Sequence, residues 1–195
     1  MIKIESTPFL TFKNSDSEHL KSLDNFLLKQ DVHIKQYNES LFFSFDYGSL
    51  IFSLDKNGVK FEVFDPQKFP FPDLKPESGG IYSLPDVANY PVCNLDIDIV
   101  DDLIFVLNKG EKADKFKIIK KIFSSGSILE ELKHSDTIFV FNSISGEFIE
   151  ELKLPMKVSK IEIINNDMYM LSSYKEEAKL YKLTLSDLMD YQLSR

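Results

Sequence analysis

The sequence predicts an all-β protein made of four-stranded antiparallel units, with one amphipathic helix near the N-terminus. Three observations carry this. Alanine, the best helix former, occurs only at Ala88, Ala113 and Ala178. Phenylalanine and tyrosine number 17 and 8, and with the abundant isoleucine they suit a pleated, half-buried surface. Short apolar runs alternate with turn residues along most of the chain. A length of 195 residues, 43% hydrophobic, points to a single domain.

Residues 2–13 alternate as a strand. Ser15-Asp16-Ser17 then offers N-cap chemistry, and Leu20, Leu23, Phe26 and Leu27 follow at helical spacing, giving a helix over about residues 17–30. Val32 to Tyr37 alternates. Leu41 to Phe45 and Leu50 to Leu54 are short apolar runs split by the turn Asp46-Tyr47-Gly48. Lys56-Asn57-Gly58 is a hairpin signal of the type I′ kind, because Asn and Gly tolerate positive φ. Val59 to Phe64 is the returning strand. Residues 65–91 hold Pro66, Pro70, Pro72, Pro76, Pro85 and Pro91, which cannot donate to a sheet ladder, so this is a long loop or a subdomain boundary.

Strands resume at Leu95, Ile97 and Ile99, which alternate with Asp96 and Asp98. Asp101-Asp102 turns into Leu103 to Leu107. Residues 109–135 are lysine-rich, with a strand at Phe116 to Phe123. Thr137 to Phe141, the turn Asn142 to Gly146, and Glu147 to Leu152 form another hairpin. Val158 to Ile164, Asp167 to Leu171 and Lys179 to Leu185 complete the strands, and the tail from Ser186 reads as a short helix. The domain reading is one unit over 1–195. Within it, 1–38 is an N-terminal strand and helix extension, 39–91 a first blade-like unit with a Pro-rich loop, and 92–195 further blade-like units.

Units that start near Ser40, Asp102 and Asp167 repeat one plan of turn, strand, loop and strand at intervals of about 60–65 residues, and four antiparallel strands repeated in this way are the sequence signature of β-propeller blades. Three stretches carry a resemblance. They are Asp101-Asp-Leu-Ile-Phe-Val-Leu-Asn-Lys-Gly110, Asp136-Thr-Ile-Phe-Val-Phe-Asn-Ser-Ile-Ser-Gly-Glu-Phe148, and Asp167-Met-Tyr-Met-Leu171 with Lys179-Leu-Tyr-Lys-Leu183. Over about residues 92–185 the chain resembles the closing blades of six-bladed β-propellers of the TolB-like or NHL-like class. That resemblance implies a bacterial-envelope setting and supplies no catalytic residue. The chain departs from the class in length, with material for about three blades and part of a fourth.

The charge balance, 23 Lys+Arg against 31 Asp+Glu, argues against nucleic-acid binding, which draws on cationic contacts to phosphate. Arg195 is the only arginine and Cys93 the only cysteine, so a disulfide framework and a multi-cysteine metal site are excluded. The N-terminus lacks the apolar core and cleavage site of a signal peptide, and no stretch approaches the roughly 18 apolar residues of a membrane span, which reads as an unexported chain. No cofactor fingerprint is present: Gly79-Gly80 is isolated.

Asp96, Asp98, Asp101 and Asp102 form the densest acidic group. Their spacing does not match a calcium loop, and alternation makes Asp96 and Asp98 the solvent face of a strand whose inner face is Leu95, Ile97 and Ile99. His19, His33 and His134 have no ligand spacing, and His134-Ser135-Asp136 has the residue types of a hydrolytic triad without its spatial assembly. Cys93 reads as a buried structural thiol, and the lysines from Lys109 to Lys121 as a solvated edge. Three functional readings are open. The leading one is a non-enzymatic binding or scaffolding module acting through loops at one end of the sheets, on a protein partner. The second is a carbohydrate-recognising or carbohydrate-processing propeller, its site lined by Asp101, Asp102, Asn165, Asn166 and Asp167, turn residues at equivalent repeat positions. The third is a truncated propeller that self-associates, as a homodimer, through open strand edges.

Overall fold

A computed structural model of the protein describes residues 32–69, 91–111, 133–173 and 178–188. The expected strand at 2–13, the helix at 17–30, the strand at 116–123 and most of the Pro-rich segment lie outside the described residues. The first sheet is an antiparallel meander of β1 (Val32–Tyr37), β2 (Ser40–Phe45), β3 (Leu50–Asp55) and β4 (Gly58–Phe64). The second repeats it with β5 (Val92–Val100), β6 (Leu103–Glu111), β7 (Ser135–Asn142) and β8 (Phe148–Val158). The third holds β9 (Lys160–Ile164), β10 (Asp167–Ser172) and β11 (Lys179–Thr184), followed by a helical turn over 185–188. The fold is therefore all-β and propeller-like. Val32–Tyr37, grouped by sequence with the N-terminal extension, is the first strand of the first sheet, paired with β2 from Val32↔Phe45 to Tyr37↔Ser40.

The sheets stack face to face. Phe42 and Ile51 of the first sheet pack on Ile97, Ile99, Ile104, Val106, Phe139 and Phe141 of the second. From its other face, Phe105, Leu107, Ile138, Val140, Leu152 and Leu154 pack on Ile161, Ile163, Met168 and Met170 of the third. Burial on both faces explains why β6 and β7 read as continuous apolar runs, whereas β9 strictly alternates: only one of its faces is covered. No helix among the described residues is long and apolar enough to cross a membrane.

Two local expectations change. The hairpin at Lys56-Asn57-Gly58 forms, but only Gly58 takes positive φ, at 120°. The Asp55 carboxylate accepts the Asn57 N–H at 2.7 Å, so an Asx turn replaces the type I′ turn. Both-positive turns occur instead at Asp101–Asp102 (φ 47° and 62°) and Asn165–Asn166 (φ 51° and 69°). Leu95 does not share a face with Ile97 and Ile99. Register shifts between Val92, Asn94 and Asp96 turn it toward the third sheet, where it joins the other core.

Gly146 closes the β7–β8 connection at φ 74°, where Asn142 Oδ1 accepts the N–H groups of Ile144 and Ser145, each at 2.9 Å. A Cβ there would stand 2.7 Å from Phe61 Cδ2 and 2.8 Å from Val63 Cγ1, on the outer strand of the first sheet. Gly146→Ala adds left-handed strain to overpacking and is expected to cost on the order of 2 kcal/mol. Urea unfolding reads this as a lower midpoint at unchanged slope.

Candidate functional site

The first strands of the three sheets, β1, β5 and β9, lie side by side. Every second N–H of β9 faces away from β10, and these groups need partners. Asp96 Oδ2 accepts the Ile161 N–H at 2.9 Å, and Asp98 Oδ2 accepts that of Ile163. Two carboxylates of β5 thus stand where a further strand would place carbonyls. Asp98 is 4% exposed. This overturns the solvent-face reading of Asp96 and Asp98: their alternation faces a neighbouring sheet.

Basic side chains complete the row. His33 Nε2 lies 2.7 Å from Asp46 Oδ1, and its Nδ1 4.0 Å from Asp96 Oδ1, so the ring stands between two carboxylates. Lys160 Nζ reaches Asp96 Oδ1 at 3.5 Å. Lys35 Nζ sits 3.3 Å from Asp98 and 2.6 Å from Glu162, linking the first sheet to both others. Burial lowers the Lys35 pKa, but the hydrogen bond to Glu162 and the charges of Asp98 and Glu162 outweigh it, and the net shift is upward. Burial raises the Asp98 pKa more than the Ile163 and Ile99 N–H groups and Lys35 lower it.

His33, Asp96 and Ile161 form one row, and Lys35, Asp98 and Ile163 the next, so the three first strands run in the same direction. Their turns to the second strands, at 38–39, Asp101–Asp102 and Asn165–Asn166, therefore share one end of the stack. At the opposite end is a pocket of about 220 Å³ lined by His33, Asp46, Lys133, Ser159, Lys160 and Ser173 over Leu95. The β2–β3 connection, the β8–β9 bend and the segments flanking β7 and β10 meet there. The Asp46 carbonyl accepts the Cys93 N–H at 2.6 Å, fixing Asp46 against the start of β5.

Of the residues singled out in the sequence, Asp101, Asp102, Asn165 and Asn166 are exposed turn residues, and Asp167 pairs with Lys182 at 2.8 Å. The Asp102 carbonyl accepts the Ser143 N–H and the Asn166 carbonyl the Leu185 N–H, so both turns are pinned within their own sheets. No hydrogen bond or ion pair among the described residues joins the two turns. His134, Ser135 and Asp136 do not converge: His134 Nε2 takes the Ser173 N–H, the Ser135 hydroxyl donates to the Asn108 carbonyl, and Asp136 lies near Lys153. Sequence reasoning missed His33, Asp46 and Lys160. The available signal was a pair of titratable residues two apart on each first strand (His33/Lys35, Asp96/Asp98, Lys160/Glu162), recurring at the repeat interval.

Comparison with known proteins gives little more. No family model matches the chain, and no curated protein does. Among solved structures, the crystal structure of BamB from Moraxella catarrhalis is similar over 80% of this chain, at a TM-score of 0.41 and 10% identity. This chain spans 33% of that one.

Two measurements check the site. The raised Asp98 pKa means the native state takes up its proton first as pH falls. The contribution of Asp98 to stability is thus greatest below the ordinary carboxylate value and is lost as pH rises through the raised native value. Asp98→Asn removes this dependence, so the stability advantage of the wild type over Asp98→Asn, read by urea unfolding, shrinks as pH rises through that window. A growing advantage would show that the Lys35 pair dominates. Secondly, burial, with Asp65 adding to it, pushes the Cys93 thiol up to about 12 from 9.0. Its thiolate fraction at neutral pH is then on the order of a thousandfold below that of a free cysteine, and iodoacetamide should label it only on addition of denaturant.

Proposed function

We propose that the chain is a non-enzymatic binding module of β-propeller type, in the manner of the closing blades of the six-bladed TolB-like or NHL-like class, and that its ligand enters the pocket at the loop-bearing end. The pocket itself carries this reading. It gathers side chains from all three sheets around His33, and its lining mixes donors (Lys133, Lys160, Ser159 and Ser173) with the acceptor Asp46 over an apolar floor at Leu95. Such a lining suits a compact polar group that both donates and accepts hydrogen bonds, whether a small molecule or a side chain of a protein partner. Two candidate nucleophiles are disarmed, Cys93 being buried and protonated and Ser135 donating to a backbone carbonyl, while the pocket's Ser173 hydroxyl lies 3.4 Å from His134 Nε2.

The two ends of the stack separate this reading from a site at the turns. In an NMR titration with glucose, glycine and inorganic phosphate at millimolar concentration, a binder should shift the amides of His33, Lys160 and Ser173. His33→Ala or Lys160→Glu should then weaken binding by about tenfold or more, a loss of roughly 1.4 kcal/mol, while Asp101→Ala and Asn165→Ala leave it unchanged. Shifts confined to Asp101, Asp102 and Asn165 to Asp167 would move the site to the turn end.

A further inference from the structure

We infer that Asp65, Asn108 and Asn94 form a proton-operated relay between the first and second sheets, in which uptake of one proton by the Asp65 carboxylate turns both asparagine amides over together. All three residues are 0% exposed. Asp65 follows β4, and its backbone N–H donates to the Ser49 carbonyl at 3.0 Å. Its Oδ1 accepts the N–H groups of Gln67 and Lys68 at 2.8 and 3.1 Å, which closes an Asx turn. Those two bonds fix which oxygen faces the second sheet. That oxygen, Oδ2, accepts from Asn108 Nδ2 at 2.9 Å, and the same Nδ2 donates to Asn94 Oδ1 at 3.1 Å. Asn94 and Asn108 stand opposite each other on β5 and β6. Their remaining polar atoms, Asn94 Nδ2 and Asn108 Oδ1, are buried without a hydrogen-bond partner.

The charge on Asp65 sets the direction of each bond. A carboxylate only accepts, so Asn108 presents its amide N–H groups and Asn94 answers the second of them with oxygen. A carboxylic acid at Oδ2 donates, and against Asn108 Nδ2 this would set donor against donor where no water enters. Turning Asn108 alone would set its oxygen against the Asn94 oxygen. Turning both lets the Asp65 O–H and Asn94 Nδ2 donate to Asn108 Oδ1, whose two lone pairs take two donors. Two hydrogen bonds are made in either state, and the two ends of an amide are close in size, so the exchange costs neither bonds nor space. The unpartnered atoms of the ionised state are the bonding atoms of the protonated one. Burial raises the Asp65 pKa more than Ser49, the Gln67 and Lys68 N–H groups and Asn108 lower it, so the proton arrives above the ordinary carboxylate range as pH falls. The titratable groups around it are Cys93 of β5, whose thiol at about 12 stays neutral throughout, and Asp46, whose charge also raises that thiol. Lys68 meets Asp65 through its backbone N–H. The tie between the two sheets thus survives the change of charge and reverses its polarity.

Through-hydrogen-bond NMR couplings on the full chain read the direction of each bond. In mildly alkaline solution, Asn108 Nδ2 should couple to the Asp65 and Asn94 Cγ atoms. On acidification both couplings should vanish and one from Asn94 Nδ2 to Asn108 Cγ should appear, with the midpoint at which the Asp65 carboxyl carbon titrates. Asp65→Asn locks the protonated arrangement. Its Oδ1 stays with Gln67 and Lys68, its Nδ2 faces Asn108, and the coupling from Asn94 to Asn108 should be present at every pH. Amides that keep one orientation while Asp65 titrates overturn the inference, the proton then going to the Ser49 hydroxyl oxygen. So does an Asp65→Asn chain that fails to fold, or one that keeps the coupling from Asn108 Nδ2 to Asn94 Cγ.

Discussion

The unpaired inner edge of β9 is the constraint from which the arrangement follows. A strand edge with free N–H groups inside a protein must be satisfied, and here side chains of another sheet satisfy it: Asp96 and Asp98 accept the N–H groups of Ile161 and Ile163. Hydrogen bonds to a carboxylate are stronger than neutral ones, typically about 1.5–3 kcal/mol net. The same carboxylates then need counter-charges, which come from Lys35 of the first sheet and Lys160 of the third, with the His33 ring beside Asp96. One demand for hydrogen bonds thus fixes the order of three sheets and brings a histidine, two lysines and four carboxylates around their shared first strands.

Packing and the polar row enforce each other. Ile161 and Ile163 give their backbone N–H groups to the aspartates and their side chains to the core with Phe105, Leu107, Ile138 and Val140. Sliding β9 by one residue would lose both, because a one-residue slip exchanges the faces of a strand. Register is therefore specified twice, by apolar burial and by charge. The pocket owes its shape to this. His33 is held by a hydrogen bond to Asp46, Lys160 by an ion pair to Asp96 of β5, and Asp46 by a backbone bond to Cys93.

The strands and their meander order were legible because they rest on local signals: alternation in β9, continuous apolar runs in β6 and β7, and Asp and Asn residues at the tight turns. The double-sided burial of the second sheet was written in those runs. The site was not legible, since Asp96 and Asp98 look like any solvent-facing alternation until the third sheet is placed beside them. The same holds for Leu95, whose face is set by register shifts that leave no compositional trace. At Lys56-Asn57-Gly58 the propensity of Asn-Gly gave way to the Asp55 carboxylate just upstream. Each miss is a case of tertiary or side-chain hydrogen bonding overriding a local preference.

Amide hydrogen exchange at Ile161 and Ile163 tests the central claim most directly. If the aspartate carboxylates close the inner edge of β9, both amides exchange as slowly as those of Met168 and Met170 within the same sheet. In Asp98→Ala, Ile163 then loses its protection while the amides that β9 shares with β10 keep theirs. Rapid exchange of both amides in the wild type, alongside protected neighbours, would contradict the account.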